Sequence, residues 1–273
     1  MTLYMQETGP ATAPTLLFLH GGGGAGWMWQ AQLEHFADYH CLLPDLPEHG
    51  QSGQVQPFDI QHSAALLAEL IRTRAHGGSA HVIGLSLGAQ IGVALLALAP
   101  ECVERAMISS ALLRPMPGAS LLSPWLMALT YYSTVAPFKH SEWWIRLNMK
   151  YAAGVPSQYY PQFCQNFRGL TAAGFSHVMI ENLRFRLPAG LARVRTPTLV
   201  LVGQNEPAVM QQSARDLAAA LPQAQAYAVH HTPPMRAVEA HNWGLTAPAL
   251  FAQTVRSWVT GRPLPAALHR LMT

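Results

Sequence analysis

With 273 residues, the chain is close to the upper size limit for a single hydrophobic core, so we expect one large domain that has room for an insertion. Half of the residues are apolar and only 11% are charged, whereas an average soluble domain has roughly 25% charged residues. This composition indicates a large core, an apolar pocket, or a surface buried in an oligomer such as a homodimer. The net charge of +3 is scattered without a long basic run, which argues against nucleic-acid binding.

The sequence carries no pattern that is typical of export or of membrane insertion. Its opening residues, MTLYMQETGP, lack the charged and apolar regions of a signal peptide. No run of about 18 apolar residues is free of polar breaks, so we expect no membrane span. The three cysteines include no CxxC pair, which argues against a disulfide framework and against a zinc site. These observations predict a cytoplasmic protein.

Short apolar runs alternate with helix-length segments, a pattern that is typical of a parallel sheet covered by helices on both faces. Six strands are predicted, at residues 16–19, 41–43, 80–83, 106–108, 198–202 and 224–229. Four helices are predicted from apolar periodicity, at residues 60–74, 87–98, 208–221 and 248–259. The expected fold class is therefore α/β, with a mostly parallel central sheet.

The regular alternation stops at residue 113 and resumes at residue 189. The segment 113–188 holds 13 of the 24 aromatic residues in the chain and lacks the β-branched runs of a buried strand. We therefore predict that this segment is a helical insertion. The core domain would then consist of residues 1–112 and 189–273.

The strongest chemical signal is Gly84-Leu85-Ser86-Leu87-Gly88, which matches the pattern GxSxG. A predicted strand precedes it and an apolar helix follows it, as expected for a nucleophile at the tip of a strained strand-to-helix turn. Glycines on both sides avoid clashes there, and the N-terminus of the helix directs free N–H groups toward a developing oxyanion. The alternative is that Ser86 is an ordinary turn serine, which the flanking elements disfavour.

Two segments before this turn extend the pattern. LHGGGG at residues 19–24 follows a predicted strand, and PDLPEHGQS lies at residues 44–52. In this order, the three motifs resemble the α/β-hydrolase fold family of serine hydrolases, from about residue 15 to the C-terminus. Glu48 stands where the family usually has glycine, and we expect this difference to affect a structural loop rather than the chemistry.

The resemblance also implies an oxyanion hole and a cover for the nucleophile. The oxyanion would be held by the backbone N–H groups of Leu87 and Gly22, with Gly21 or Gly23 as alternatives to Gly22. The segment 113–188 occupies the position of the family's helical cap. Aromatic side chains near the nucleophile would bind a hydrophobic substrate. The candidates are Trp27, Trp143 and Trp144.

A serine hydroxyl needs a base to take its proton, and in this fold the chain order is nucleophile, acid, histidine. The histidines that lie late enough in the chain are His230, His231, His241 and His269. His241 lies in a predicted loop between the last predicted strand and the last helix, where the family has its catalytic histidine. We therefore expect His241 to be the base, with His231 as the main alternative.

The acid is the position at which the sequence departs most from the family pattern. The family commonly has aspartate in a turn after the strand predicted at 198–202, and here that turn contains Glu206. Glutamate can serve as the acid of a triad. Glu206 is therefore the expected acid, and the alternatives are that it only caps the helix after it or that Asp216 serves instead.

These residues predict a serine carboxylic ester hydrolase that acts on small to medium hydrophobic esters through an acyl-enzyme. The chemistry needs no cofactor and no metal. One alternative is hydrolysis of a carbon–carbon bond in a diketo acid, which would require an inward-pointing cation from Arg146, Arg168, Arg184 or Arg186. A second alternative is a hydrolase-fold protein that binds a ligand without turning it over.

Overall fold

In a computed structural model, residues 2–231 and 233–271 are described, and eight strands among them form one sheet. Residues 1, 232, 272 and 273 of the predicted core domain lie outside the described part. The spatial order of the strands is β1-β3-β2-β4-β5-β6-β7-β8. The strands are β1 (Met5–Thr8), β2 (Thr15–Leu19), β3 (His40–Pro44), β4 (Ala80–Leu85), β5 (Val103–Ser109), β6 (Thr198–Gly203), β7 (Ala224–Val229) and β8 (Leu268–Arg270).

The predicted α/β fold class is confirmed. Strands β2 to β7 coincide with the six predicted strands, and every pairing among them is parallel. The sequence analysis missed β1 and β8, which pair antiparallel at the two edges of the sheet. An edge strand is short and pairs on one side only, so it does not need the continuous apolar run that marks the inner strands.

The helices lie on both faces of the sheet and include the four predicted ones, with ends that differ by at most one residue. A short helix occupies the turn that was expected to be the loop of His241. The helices are α1 (Gln30–Leu33), α2 (Ile60–Arg74), α3 (Leu87–Leu98), α4 (Pro124–Thr134), α5 (Glu142–Tyr151), α6 (Tyr160–Gly169), α7 (Ala172–Arg184), α8 (Ala208–Ala220), α9 (Ala237–His241), α10 (Trp243–Thr246) and α11 (Pro248–Thr260).

The core consists of two apolar layers, one on each face of the sheet. Side chains of a strand alternate between its faces, and β2 shows this clearly. Leu17 and Leu19 pack in the layer that contains residues of α2, α3 and α8, whereas Leu16 and Phe18 pack in the layer that contains α11. Because both faces are covered, β2 is apolar and buried along its whole length.

The segment 113–188 contains helices α4, α5, α6 and α7 and no strand. It lies in the chain between β5 and β6, and α4 packs mainly against α7. Among residues 2–231 and 233–271, no helix combines the length and the hydropathy that a membrane span requires.

Candidate active site

Ser86 lies at the junction between β4 and α3, where the backbone is strained. Its φ and ψ angles are 55° and −115°, in a region that residues with a side chain rarely adopt. A Cβ atom on Gly84 would lie 2.7 Å from the carbonyl oxygen of Gly88. A Cβ atom on Gly88 would lie 2.3 Å from the carbonyl oxygen of Leu19. Both glycines of the motif are therefore required by close backbone contacts around Ser86.

Two backbone N–H groups close to Ser86, those of Leu87 and Gly22, are the expected donors to the oxyanion. Leu87 is the first residue of α3, and Gly22 lies so close that a Cβ on it would be 3.7 Å from the Leu87 side chain. Neither N–H donates a hydrogen bond to another described residue. The N-terminus of α3 adds the positive end of its dipole, which favours negative charge at this point. Gly21 and Gly23 line the same cavity, so the choice among the three glycines stays a prediction.

His20 holds the glycine-rich loop in place. Its Nδ1–H donates to the carbonyl of Gly21 at 2.8 Å, and its Nε2 accepts from the backbone N–H of Leu46 at 3.0 Å. Complete burial, and then the nearby ring of His49, lower the pKa of His20 from 6.5 to about 3. The ring is therefore neutral at ordinary pH and can keep both hydrogen bonds. The sequence analysis read this residue only as part of the motif.

The Glu206 carboxylate is fixed by three hydrogen bonds, and its side chain is only 1% exposed. Its Oε1 accepts from the backbone N–H of Gly203 at 2.7 Å and from the hydroxyl of Ser110 at 2.6 Å. Its Oε2 lies 2.9 Å from Nδ1 of His241. No side chain caps the N-terminus of α8. The alternative, that Glu206 only caps this helix, is therefore wrong.

His241 is the last residue of the short helix α9 and not part of a loop, as the sequence analysis expected. The following helix is anchored because the indole N–H of Trp243 donates to the hydroxyl of Ser109 at 2.8 Å. The contact with Glu206 occupies Nδ1 of His241 and leaves Nε2 for a neighbouring hydroxyl. His241 and Ser86 line the same cavity.

The alternative residues lie elsewhere. His230, which directly follows β7, stacks on His269 of β8, with 3.8 Å between ring centroids. His231 does not line the cavity that contains Ser86. Asp216 lies on α8 and forms an ion pair with Arg114, with 2.9 Å between Oδ1 and Nη2. Of the candidate histidines and acids, the structure brings His241 and Glu206 together.

The cavity beside Ser86 has a volume of about 420 Å³ and two different walls. The core contributes the glycine-rich loop, Ser86 and His241. The segment 113–188 contributes mainly apolar side chains from α6 and α7. No Arg or Lys occurs among the described residues that line it. The apolar wall includes Phe163, Phe167, Leu170, Phe175, Val178 and Met179.

Comparison with known proteins identifies the family of the chain. The family model described as the alpha/beta hydrolase family matches residues 16–262. The chain belongs to the alpha/beta hydrolase family.

Individual relatives of this hydrolase are distant but cover most of its length. An AB hydrolase superfamily protein of Gibberella zeae is 28% identical over 272 residues, which span 97% of this chain and 86% of the relative. Lipase 3 of Moraxella sp. is 23% identical over 85% of this chain and 76% of its own length. The structure of a thermophilic esterase from Thermogutta terrifontis has a TM-score of 0.69 at 21% identity and covers 95% of this chain and 93% of its own.

The aromatic residues chosen from the sequence have different positions in this alpha/beta hydrolase. Trp27 lines the cavity and packs on Tyr159, with 5.7 Å between ring centroids. Trp143 and Trp144 do not line it, contrary to the expectation. Trp143 is 63% exposed, and Trp144 packs on Phe138 at 4.8 Å, because this face of α5 is turned away from the core.

Glu48 has a role that the sequence analysis missed. Its backbone has a φ of 61°, as the structural loop requires, and the residue also lines the cavity. The carboxylate accepts from Nδ1 of His177 on α7 at 2.9 Å and from the backbone N–H of Phe58 at 3.0 Å. Glu48 therefore connects the core to the segment 113–188. An acidic residue at a position where glycine is usual was the signal that could have indicated this.

Proposed function

We propose that this hydrolase cleaves carboxylic esters through an acyl-enzyme on Ser86, with His241 as the base and Glu206 as the acid. The observation that carries the proposal is the 2.9 Å contact between the buried Glu206 carboxylate and His241, which shares a cavity with Ser86. The similarity to a lipase and to an esterase supports the same class of reaction.

In the proposed mechanism, Oγ of Ser86 attacks the carbonyl carbon of the ester while Nε2 of His241 takes its proton. The buried charge of Glu206 stabilises the imidazolium that forms. The N–H groups of Leu87 and Gly22 bind the oxyanion of the tetrahedral intermediate. His241 then gives the proton to the leaving alkoxide, and a water molecule repeats the sequence to release the acid.

The cavity favours a neutral, hydrophobic substrate. Its volume of about 420 Å³ and its phenylalanine-rich wall suit a medium-length acyl chain or an aryl group. Glu48 is the only acidic residue among the described residues that line it, and its carboxylate pairs with His177. An anionic substrate would find no Arg or Lys side chain among the described residues that line the cavity.

Hydrolysis of a carbon–carbon bond in a diketo acid is the second candidate, and the positions of the cap arginines argue against it. Burying the substrate carboxylate without a cationic partner would cost several kcal/mol. Arg146 stacks on the ring of Tyr160 at 3.8 Å, and Arg184 donates to backbone carbonyls before α4. Arg168 and Arg186 are exposed. We expect kcat/KM for a p-nitrophenyl ester to exceed that for a phenyl-substituted diketo acid.

Ser86→Ala tests the proposal directly. It removes the hydroxyl that would attack the ester, so turnover of p-nitrophenyl butyrate should fall by about 10⁴-fold to 10⁶-fold. Ser133→Ala, at an exposed position on α4, is the matched control and should retain full activity. Unchanged turnover in Ser86→Ala would show that the nucleophile lies elsewhere. A wild-type protein that binds esters without turning them over would instead favour the ligand-binding alternative.

A further inference from the structure

The outward face of α4 exposes large apolar side chains to solvent. Trp125 is 73% exposed and Tyr132 is 64% exposed, and Leu129 lies between them on the same face of the helix. Leu121, just before α4, is 80% exposed. The opposite face of the helix, which carries Met127, is buried. Because α4 is apolar on its outer face as well as on its inner face, the outer face is expected to have a partner.

Helix α5 has the same organisation. Trp143, Leu147 and Tyr151 follow each other at intervals of four residues and are exposed, whereas Ile145 and Met149 are buried. Phe138, in the short connection between the two helices, packs on Trp144 of α5, which in turn packs on Trp143. We call the exposed side chains of Leu121, α4 and α5 the outer apolar face.

The segment that carries this face has an excess of positive charge. Residues 115–138, which include α4, contain no Asp, Glu, Lys or Arg. The whole segment 113–188 contains seven Lys and Arg residues and two Glu residues, although the complete chain has a net charge of only +3. Arg184 donates to the carbonyls of Ala119 and Ser120 just before α4, and Lys139 follows the helix and donates to Leu170. A cation therefore lies near each end of α4.

We propose that the outer apolar face binds peripherally to a lipid bilayer that contains anionic headgroups. Trp, Tyr and Leu side chains insert into the boundary between headgroups and acyl chains, and the surrounding Lys and Arg side chains attract the anionic surface. A second copy of the chain fits this face less well. In a two-fold dimer the same patch meets itself, so the excess positive charge of one segment would lie against that of the other.

Co-sedimentation with vesicles tests this inference without any measurement of activity. The wild-type protein should sediment with vesicles of phosphatidylcholine mixed with phosphatidylglycerol, and less with phosphatidylcholine alone. Raising the salt concentration should weaken the binding. The double variant Trp125→Ser/Leu129→Ser removes two inserted side chains and should lower the partition coefficient by about tenfold or more. Leu121→Ser, at the position just before α4, should also lower the partition coefficient.

Leu98→Ser is the matched control. Leu98 is also exposed, but it lies on the surface of the core domain, at the end of α3 and outside the segment 113–188. It should bind vesicles as the wild type does. The inference is overturned if the wild type does not sediment with either type of vesicle, or if the double variant binds like the wild type. Sedimentation velocity would show whether the protein instead forms a dimer through this face. A dimer that the double variant dissociates, without vesicle binding by the wild type, would assign this face to self-association instead.

Discussion

The two walls of the cavity are stabilised in different ways. On the core side, the Glu206 carboxylate accepts hydrogen bonds from Gly203 at the end of β6 and from Ser110 just after β5, and it contacts His241 on the short helix α9. On the other side, helices α6 and α7 contribute mainly apolar side chains to the cavity, and separate hydrogen bonds connect these helices to the core. One such contact joins Glu48 to His177, and another joins the N–H of Ile60 to Glu181 at 3.0 Å. This difference suggests that the core side determines the chemistry and the helical side determines which substrate binds.

Among changes to the two walls of the cavity, Glu206→Gln in the core wall is expected to have the largest effect on turnover. The variant keeps the volume of the side chain but loses the charge that would stabilise protonated His241 in the transition state. We therefore expect kcat for a p-nitrophenyl ester to fall by about a thousandfold or more, with little change in KM. Steady-state kinetics at constant pH would measure both parameters.

Asp216→Asn is the matched control for Glu206→Gln. Asp216 pairs with Arg114 on the surface of α8, so its loss should change kcat by less than about twofold. A small loss of kcat in Glu206→Gln together with a large loss in Asp216→Asn would show that Asp216 is the acid. The core wall would then not determine the chemistry.

A second prediction concerns the stability of the core wall in acid. Burial lowers the pKa of the His20 ring to about 3, whereas the ring in the unfolded chain takes a proton near its ordinary pKa of 6.5. The unfolded state therefore binds more protons between these values, and the free energy of unfolding should decrease as the pH falls from 6.5 toward 3. The expected loss from this group is on the order of 4 kcal/mol.

Urea unfolding at a series of pH values would measure this loss. His20→Asn should unfold more easily at neutral pH but should show a shallower dependence on pH than the wild type. His35→Asn, at a partly exposed position, should keep the steeper dependence. Burial lowers the pKa of His49 in the same direction, so some acid sensitivity should remain in His20→Asn. Identical slopes in His20→Asn and the wild type would contradict the prediction.

The smallest expected effect concerns the substrate wall. Trp27→Ala removes a ring that lines the cavity, so KM for a medium-chain p-nitrophenyl ester should rise by about tenfold with kcat nearly unchanged. Trp143→Ala is the same substitution on the exposed face of α5 and should change neither parameter by more than about twofold. A larger effect of Trp143→Ala than of Trp27→Ala would mean that the cavity is lined differently.

Only part of this fold and of its candidate site could be predicted from the sequence. The six inner strands and the turn around Ser86 were predictable, because buried parallel strands and tight turns leave local signals in the residues themselves. The edge strands β1 and β8 were missed since they are short and partly exposed. The orientation of Trp143 and the pairing of Glu48 with His177 depend on how distant helices pack, which no local pattern encodes.

Labelling with a fluorophosphonate tests the central claim, that Ser86 is a nucleophile activated by His241, most directly. The reagent reacts with an activated serine and leaves a covalent adduct that mass spectrometry can locate. We predict one adduct per chain, on the peptide that contains Ser86, with no adduct in Ser86→Ala and slower labelling in Glu206→Gln. Stoichiometric labelling of another residue, or of Ser86→Ala at the wild-type rate, would contradict the claim.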